Sequence, residues 1–380
     1  MSDQPKEILF VYYKLFKAGG VARVLVSLAN ELVKQGHGVT ILVLINNTES
    51  FYELDKRIKI VAVDTFSHWG FKKINVNLDK YFPKLPYKNN IKNYVYDFGQ
   101  WEMLNKWINK NHQNYDVIIS SWYKLSAQLA LNKNVNRKTI AWEHISFDVG
   151  GVLWNKILRK YYKNLKSVVS INHPGEKYYK NINSNVFVIP NMMSDDIENV
   201  EINYNHKQNT ILVPSRLDPE KNLVEFLEII KSIDLKNDWK VKIFGDGKDE
   251  EILKNIIIIN KLSNVYLNRA LTQSEILEEL KKSKIICMTS FKEGLPTILI
   301  EGLFTSNALV SYDCNYGPSD IVNEKNGFLI PMHDKQLFKE KLQYLIDNPQ
   351  ELENLCKSSY EQSKKWKKEK ILNQWITILK

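Results

Sequence analysis

The stretch ILFVYYKLFKAGGVARVLVSLANELVKQGHGVTILVL, residues 8–44, decides the fold class of this chain. It opens on a continuous apolar run, which is typical of a buried strand. Two glycines follow, and the apolar residues after them recur at helical spacing as far as Gly36, where a second apolar run begins. A strand, a loop, a helix and a strand in this order predict a parallel sheet with a right-handed crossover.

Further apolar runs of strand length follow in both halves of the chain. Those in the first half are DVIISS, KTIAW, SVVSI and NVFVIP, at residues 116–121, 138–142, 167–171 and 185–190. Those in the second half are TILVP, WKVKIF, NVYLN, KIICM, ALVSY and GFLI, at residues 210–214, 239–244, 264–268, 284–288, 308–312 and 327–330. Helical patterns lie between most of them, so we expect an α/β protein with two doubly wound domains in tandem.

A polar, weakly patterned stretch after Pro190 is typical of a connector between domains. We expect a first domain over residues 1–190, a linker over 191–208 and a second domain over 209–365. Residues 366–380 are predicted to form a helix that packs back on the first domain.

Composition excludes several classes of protein. A chain of 380 residues with 44% hydrophobic content can build two cores, and nothing in it suggests a fibre or disorder. The cysteines, Cys287, Cys314 and Cys356, are odd in number and far apart, which argues against a disulfide framework and a CxxC metal site. No signal peptide and no run of the roughly 20 apolar residues that cross a bilayer is seen. We expect a cytoplasmic protein, soluble or lying on a membrane.

The formal net charge is +10, and the excess is uneven along the chain. Between Ser67 and Tyr115 eight lysines stand against three acidic residues, interleaved with aromatics. Such a segment favours nucleic acid, anionic lipid head groups or phosphate-bearing substrates, or is an ordinary solvated face. The overlapping residues 65–100 contain Pro83, Pro86 and many Asn and Lys, which predicts an irregular loop region.

Polar residues follow several strands of the second half, where ligands bind in open parallel sheets. SRLDPEKNL places Arg216 and Lys221 around a turn, and Asn222 is expected to cap the next helix. A forked guanidinium and a point-like ammonium suit a diphosphate, although such a pair is also common on solvated surfaces. Gly245 opens a GDG turn that permits close backbone approach. Because the chain has no GxGxxG, a dehydrogenase is disfavoured.

The stretch FKEGLPTILIEGL, residues 291–303, predicts a phosphate cradle at a helix start. Gly294 relaxes the backbone, and Pro296 stands where a first helical residue is expected. The N–H groups of Leu295 and Thr297 would then face an anion, assisted by the helix dipole.

Two carboxylates flank this cradle. Glu293 precedes it and would face whatever the phosphate carries, whereas Glu301 lies about one helical turn beyond Thr297. Carboxylates accept hydrogen bonds from pairs of hydroxyls, as on a ribose or a hexose. The apolar neighbours of Glu301 indicate burial, and a buried carboxylate needs a partner.

The motifs SRLDPEKN, GDG and FKEGLPTILIE, in this order, resemble the C-terminal half of GT4-type retaining glycosyltransferases with the GT-B fold. That fold has two Rossmann-like domains facing across a cleft, the first binding the acceptor and the second the nucleotide sugar. The family's E-x7-E motif is matched by Glu293 and Glu301. The resemblance implies that Arg216 and Lys221 bind the donor diphosphate.

The same resemblance implies roles for the other candidates. Glu301 would hold the ribose, Glu293 would contact the donor sugar near its reacting carbon, and residues 294–297 would cradle phosphate. In the first half, Gly19 and Gly20 match the glycine loop bordering donor and acceptor, and His144, in WEHISF, matches a histidine that projects into the cleft. A lone histidine is more often structural. SYDCNYGPSDIV, residues 311–322, is similar to lipopolysaccharide and teichoic acid transferases within the family.

These features lead us to expect transfer of a hexose or N-acetylhexosamine from a UDP-sugar to a cell-surface glycan with the anomeric configuration kept. The acceptor classes expected are a lipid-linked oligosaccharide, lipopolysaccharide, capsule or teichoic acid. Charge that builds on the leaving diphosphate would be stabilised by Arg216, Lys221 and the helix start. Since the chain has no Asp-x-Asp and the cations can replace a metal, we expect metal-independent turnover and no cofactor.

Three alternatives remain open. The first is a GT-B-fold UDP-sugar epimerase, the second a basic nucleic-acid-binding protein, for which no recognised motif is found, and the third a catalytically silent binding subunit.

The stretch VLWNKILRKYYKNLK, residues 152–166, has two interpretations. As a helix it would place its apolar residues near one face and its lysines and Arg159 elsewhere. That pattern fits an interfacial helix docking on the anionic inner face of the cytoplasmic membrane, and equally a domain helix with its apolar face in the core.

Overall fold

The computed structural model describes residues 4–82, 87–236 and 238–380, which form two compact units. The first comprises Met1–Ile171, Gly175–Ile189 and Leu372–Lys380, and the second Asn172–Pro174 and Pro190–Ile371. Each unit contains a parallel sheet with helices, which confirms the predicted α/β fold with two Rossmann-like units.

The first unit contains a seven-stranded sheet in which every strand pairing is parallel. Its strands are β1 (Glu7–Tyr12), β2 (Gly38–Val43), β3 (Lys59–Ala62), β4 (Val117–Ser120), β5 (Thr139–Glu143), β6 (Ser167–Ser170) and β7 (Val186–Val188). Their spatial order is β3-β2-β1-β4-β5-β6-β7. The order of the strands therefore switches direction between β1 and β4. Gly19 ends the loop after β1, and Gly20 is the first residue of the helix that follows.

The second unit contains a six-stranded parallel sheet. Its strands are β8 (Gln208–Pro214), β9 (Lys240–Phe244), β10 (Val265–Asn268), β11 (Ser283–Met288), β12 (Ala308–Asp313) and β13 (Gly327–Pro331). The order β10-β9-β8-β11-β12-β13 puts the switch point between β8 and β11. Loops leaving these two neighbours emerge at the same edge, where doubly wound sheets bind ligands.

Helices connect most of the strands. Those of the first half are α1 (Gly20–Lys34), α2 (Val76–Tyr81), α3 (Lys88–Asn111), α4 (Tyr123–Leu131) and α5 (His173–Tyr179). The remaining helices are α6 (Asp195–Glu198), α7 (Leu223–Lys231), α8 (Glu250–Ile259), α9 (Gln273–Lys282), α10 (Thr297–Phe304), α11 (Pro318–Ile321), α12 (Lys335–Asp347), α13 (Pro349–Ser363) and α14 (Lys368–Leu379). In the first unit, the ring of Trp375 from α14 packs edge-on against Trp142, with centroids 4.8 Å apart.

The prediction of an irregular loop over residues 65–100 is wrong for the part that the structure describes. Residues Phe71–Asn75 form a π-helix that runs into α2, and α3 begins at Lys88 and is 24 residues long. Its buried positions include Asp97, Gly99 and Gln100, so the inner face of the helix is not an apolar stripe. Pro83 and Pro86, on which the prediction rested, lie outside the described residues.

The single amphipathic helix considered for residues 152–166 is also not observed. Val152–Ile157 is a π-helix and Leu158–Asn164 a 3-10 helix. Arg159, which the helical pattern put on the polar side, is fully buried, whereas Val152 and Ile157 are 64% and 49% exposed. The reason is that Arg159 pairs with the buried Glu143 carboxylate, at 3.4 Å.

Candidate active site

The loop after β8 carries both predicted diphosphate ligands, and the GDG turn packs against it. A Cβ added to Gly245 would lie 1.8 Å from the carbonyl oxygen of Ser215, and one added to Gly247 would lie 2.3 Å from that of Leu217. Leu217 N–H also donates to Asp246 O at 3.0 Å. These glycines are therefore needed for close contact between two backbone segments, which shapes the loop that bears Arg216. A contact of Gly245 with nucleotide stays a prediction.

A cavity of about 260 Å³ opens at the switch point between β8 and β11. Its lining brings together six of the predicted site residues: Arg216, Lys221, Glu293, Leu295, Pro296 and Thr297. Cys287, Thr289 and Ser290, none of which the sequence marked as a site residue, line it as well. The motifs after β8 and β11 thus form one site inside the second unit.

The start of α10 supplies backbone donors to this cavity. The helix begins at Thr297, with Pro296 as the residue before it, so the expected first helical position of Pro296 is off by one. Within the described chain, the N–H groups of Leu295, Thr297 and Ile298 donate to no other residue. These groups are therefore available to an anion in the cavity, with the helix dipole adding to their attraction.

Lys221 and Glu293 form an ion pair within the cavity, with Nζ and Oε1 2.6 Å apart. Each side chain is only 16% exposed, so solvent screens the pair weakly. Thr289 fixes this part of the loop because its hydroxyl donates to the carbonyl oxygen of Lys221 at 3.1 Å. A diphosphate entering the cavity would therefore share the Lys221 ammonium with the Glu293 carboxylate.

Arg216 is the more exposed of the two cations. Its guanidinium donates to Asp218 and lies 3.9 Å from Glu220, and its side chain is 65% exposed.

Asn222 stands before α7, as predicted, but its side chain makes no capping bond to the helix backbone. It is in the left-handed conformation, and its Nδ2 donates to the Glu225 carboxylate at 3.1 Å instead.

Glu301 lies on α10 and is 7% exposed, in agreement with the burial that its neighbours indicate. Gln273, at the first position of α9, donates to Glu301 Oε1 at 3.5 Å. The start of α9 is held by a reciprocal capping box between Thr272 and Glu275. Gln273 lies in no motif, so the sequence does not mark it as a site residue.

The thiols near the cavity are held in the protonated form. Burial raises the pKa of Cys287 far above its ordinary value, and burial together with the Glu293 carboxylate raises the pKa of Cys314 to about 11. Neither thiol is therefore a nucleophile at neutral pH. Among the described residues no group of three or more His, Cys, Asp or Glu side chains could hold a metal ion.

The remaining candidates belong to the first unit. Gly19 precedes α1, and its N–H donates to the hydroxyl of Tyr52 at 3.1 Å, while the space beside Gly19 and Gly20 is open.

His144 follows β5, and its ring packs against the ring of Trp142, with centroids 4.3 Å apart. Its Nε2 is enclosed and has no hydrogen-bond partner in the described chain. Burial lowers the pKa of His144 to about 3, so this imidazole is neutral at physiological pH.

Comparison with known proteins identifies two matching family models. Residues 18–196 match Glycosyltransferase Family 4, and residues 194–366 match Glycosyl transferases group 1. Together the models span nearly the whole chain.

Relatives and solved structures agree with these matches. The amylovoran biosynthesis glycosyltransferase AmsD of Erwinia amylovora is 27% identical over 98% of this chain and 99% of its own. A Campylobacter jejuni alpha-1,4-N-acetyl-D-galactosaminyltransferase, named for the acceptor GalNAc-alpha-(1->4)-GalNAc-alpha-(1->3)-diNAcBac-PP-undecaprenol, is 25% identical over 95% of each chain. The fold is similar to that of a mutant of S. aureus TarM, solved in complex with Fondaparinux, alpha-GlcNAc-glycerol and UDP. The TM-score is 0.71, at 15% identity, with 98% of this chain and 99% of that chain covered.

The cavity at the switch point, the motifs that line it and the two consecutive family regions lead to one conclusion: this chain is an enzyme of the GT-B glycosyltransferases, with a family 4 region followed by a group 1 region.

Proposed function

We propose that this enzyme transfers a hexose or N-acetylhexosamine from a UDP-sugar to a growing bacterial cell-surface glycan, keeping the anomeric configuration and using no metal. The observation that carries the proposal is the cavity in which two cations meet the start of α10. Its lining presents donors and positive charge to a volume of about 260 Å³, which suits the diphosphate of a nucleotide sugar.

The chemistry proposed is stabilisation of the leaving group. As the bond between the anomeric carbon and the diphosphate oxygen breaks, negative charge grows on that oxygen. Lys221, Arg216 and the three N–H groups at the start of α10 would attract it more strongly than they attract the intact donor. These N–H groups belong to Leu295, Thr297 and Ile298. Because these groups are already in place, little reorganisation accompanies bond cleavage.

We propose that the acceptor attacks on the face from which the diphosphate departs. A double displacement needs a side-chain nucleophile at the anomeric carbon. Cys287 and Cys314 are protonated, Glu301 is assigned to the nucleoside, and Glu293 is paired with Lys221. An ion-pair-like transition state is then the simpler route, with Glu293 next to the positive charge that develops on the sugar.

Proteins similar to this chain support the proposed donor and acceptor. UDP is present in the structure of the TarM mutant, and the Campylobacter enzyme is named for a lipid-linked acceptor with a diphosphate. Acceptors of this class are anionic, which fits a chain with a formal net charge of +10.

The test begins with a thermal-shift screen against UDP, GDP and ADP, because a bound nucleotide stabilises the fold by mass action. UDP-sugars are then incubated with acceptor glycans, with and without EDTA, and the product linkage is read by NMR. We expect an α-linked product from an α-linked donor in the presence of EDTA. Loss of activity with EDTA would refute metal independence, and an isomerised donor without glycan product would favour the epimerase. Hydrolysis of the donor in the absence of acceptor separates an enzyme from a silent binding subunit.

We also propose that the enzyme associates peripherally with an anionic membrane surface. In the described chain no helix has both the length and the apolar character needed to span a bilayer. Around residues 152–163, however, Val152, Ile157 and Tyr161 are exposed next to three lysines. These lysines, Lys156, Lys160 and Lys163, form no ion pair with a described residue. Exposed apolar side chains that alternate along the chain with lysines free of ion pairs favour binding to an anionic lipid interface.

Vesicle sedimentation tests this second proposal. The triple variant K156E, K160E and K163E should lose binding to vesicles with anionic lipid, whereas the charge-matched variant K261E, K325E and K370E in the second unit should keep most of it. Vesicle binding that does not depend on anionic lipid, or an equal loss of vesicle binding in both variants, would refute the membrane site.

A further inference from the structure

A buried asparagine outside the recognised motifs holds the phosphate cradle. Asn172, two residues beyond the end of β6, is 5% exposed, and its Nδ2 donates to the carbonyl oxygen of Gly294 at 2.8 Å. Both residues belong to the second unit. Gly294 stands between Glu293 and Leu295, each of which lines the cavity. The contact thus reaches the backbone of the candidate site itself.

The geometry of the peptide bond gives this contact a consequence. In a trans peptide the carbonyl of residue 294 and the N–H of residue 295 point in opposite directions. A donor that fixes the Gly294 carbonyl therefore fixes the direction of the Leu295 N–H as well. That N–H donates to no other residue of the described chain, so it is kept for a ligand.

A second element supports the same peptide from the Tyr-Gly-Pro stretch at residues 316–318. Gly317 has φ +91, and a Cβ at this position would lie 2.7 Å from the Gly294 carbonyl oxygen and 2.7 Å from Pro296 Cδ. The positive φ and the close approach both require glycine. The motif that resembles lipopolysaccharide and teichoic acid transferases therefore packs on the cradle loop.

Asn172 is itself held in place by the helix that follows Gly317. The N–H of His173 donates to Asp320 Oδ2 at 2.8 Å, and His173 Nδ1 lies 3.1 Å from Asp320 Oδ1. Asp320 is on α11, for which Gly317 is the preceding residue. The asparagine, the cradle and the Tyr-Gly-Pro stretch therefore form one connected support.

We propose that Asn172 is a positioning residue for donor binding: its carboxamide orients the Gly294–Leu295 peptide so that the Leu295 N–H faces the donor diphosphate. The inference rests on the proposed function, because it takes the cavity as the diphosphate site. It adds a residue that touches neither sugar nor nucleoside and that acts through the backbone. Its effect should therefore be confined to ligands that carry the diphosphate.

The test compares UDP with uridine, using calorimetry for UDP and ligand-detected NMR for uridine. Asn172→Ala and the uncharged Asn172→Leu should each weaken UDP binding about tenfold, the usual result of losing one well-placed hydrogen bond near a charged ligand. Uridine affinity should be unchanged. KM for the donor should rise more than kcat falls. Asn172→Leu keeps the branched shape of the side chain and adds no charge, so it provides the test if the alanine variant does not fold.

Asn326→Ala is the matched control. Asn326 is fully buried in the same unit and donates to a backbone carbonyl, Ile321 O, at the same 2.8 Å. We expect it to lower stability without changing the ratio of UDP to uridine affinity. If the wild type binds none of UDP, GDP and ADP, the proposed function fails and this inference with it. If it binds UDP, and both Asn172 variants bind UDP equally well, this inference alone is overturned.

Discussion

Lys221 Nζ lies 2.6 Å from Glu293 Oε1, and this ion pair joins the loop after β8 to the loop after β11 inside the cavity at the switch point. The cation proposed for the diphosphate and the carboxylate proposed for the sugar are thus partners before any donor is present. Glu293 holds Lys221 at the cavity wall, and it would also offset part of the charge that Lys221 offers to the proposed diphosphate.

This relationship predicts opposite effects of Glu293→Gln on turnover and on nucleotide binding. We expect kcat to fall by about 100-fold or more, the size of effect that follows loss of an electrostatic group at a reacting centre. UDP binding should be kept or strengthened, because Lys221 is no longer offset. Lys221→Met should instead raise the Kd for UDP. Steady-state kinetics measures kcat, and calorimetry measures the Kd for UDP.

Lys242 and Glu279 supply the control for this prediction. They form an ion pair of the same 2.6 Å length in the same unit, with side-chain exposures of 22% and 19%. Glu279→Gln should leave kcat and UDP binding near the wild-type values. Near-normal turnover by Glu293→Gln would remove Glu293 from the active site.

Glu301→Ala should weaken the binding of UDP and uridine alike. Glu301 is buried on α10 and contacts Gln273, and the proposed role is to accept hydrogen bonds from the ribose hydroxyls. Because the nucleoside is common to both ligands, we expect each Kd to rise about tenfold. The same two-ligand titration proposed for Asn172 measures it. An effect on UDP without an effect on uridine would assign Glu301 to the diphosphate instead.

Much of the fold could be predicted because parallel strands buried on both faces are continuous apolar runs. Each of the twelve predicted strands is observed, with ends shifted by one or two residues. β3 was missed because Lys59–Ala62 is short and follows a charged stretch. α3 was missed because polar groups take its inner positions: Asp97 is buried and accepts from Lys124 Nζ at 2.8 Å.

The candidate site could be predicted only where its residues lie in local motifs. Arg216 and Lys221 share one loop, and Glu293 to Thr297 share another, so spacing alone brings each set together. The Lys221–Glu293 pair joins positions 72 apart, and the bond from Asn172 to Gly294 joins positions 122 apart. A contact across such a separation depends on the packing of the sheet, which leaves no local pattern.

Arg159→Met should strongly destabilise the first unit. Arg159 is fully buried beside Glu143. Removal of its charge would leave that carboxylate buried with two partners among the described residues, the hydroxyls of Tyr162 and Tyr179, at 2.7 and 2.8 Å. Breaking one side of a buried ion pair costs about 3–5 kcal/mol. Urea denaturation measures the shift in midpoint. Arg57→Met, which breaks an exposed pair with Asp55, should shift it little. Equal shifts of the two midpoints would show that the buried pair contributes no more to the free energy of unfolding than the exposed pair does.

His144→Gln should reduce the dependence of the unfolding free energy on pH in the acidic range. Burial lowers the pKa of His144 from 6.5 to about 3 in the folded chain, so between these values the unfolded chain binds a proton that the folded chain does not. The unfolding free energy of the wild type therefore falls as the pH drops from 6.5 towards 3, through this residue alone. Above that window the imidazole is neutral in both states and contributes no slope.

Urea midpoints at about pH 4.5 and about pH 7.5 measure this dependence. We expect a smaller difference between the two for His144→Gln than for the wild type. His206, an exposed histidine, is the matched control, and His206→Gln should keep the wild-type difference. If the two variants show the same difference, the His144 imidazole takes up its proton in the folded chain and is not the enclosed neutral group that its contact with Trp142 indicates.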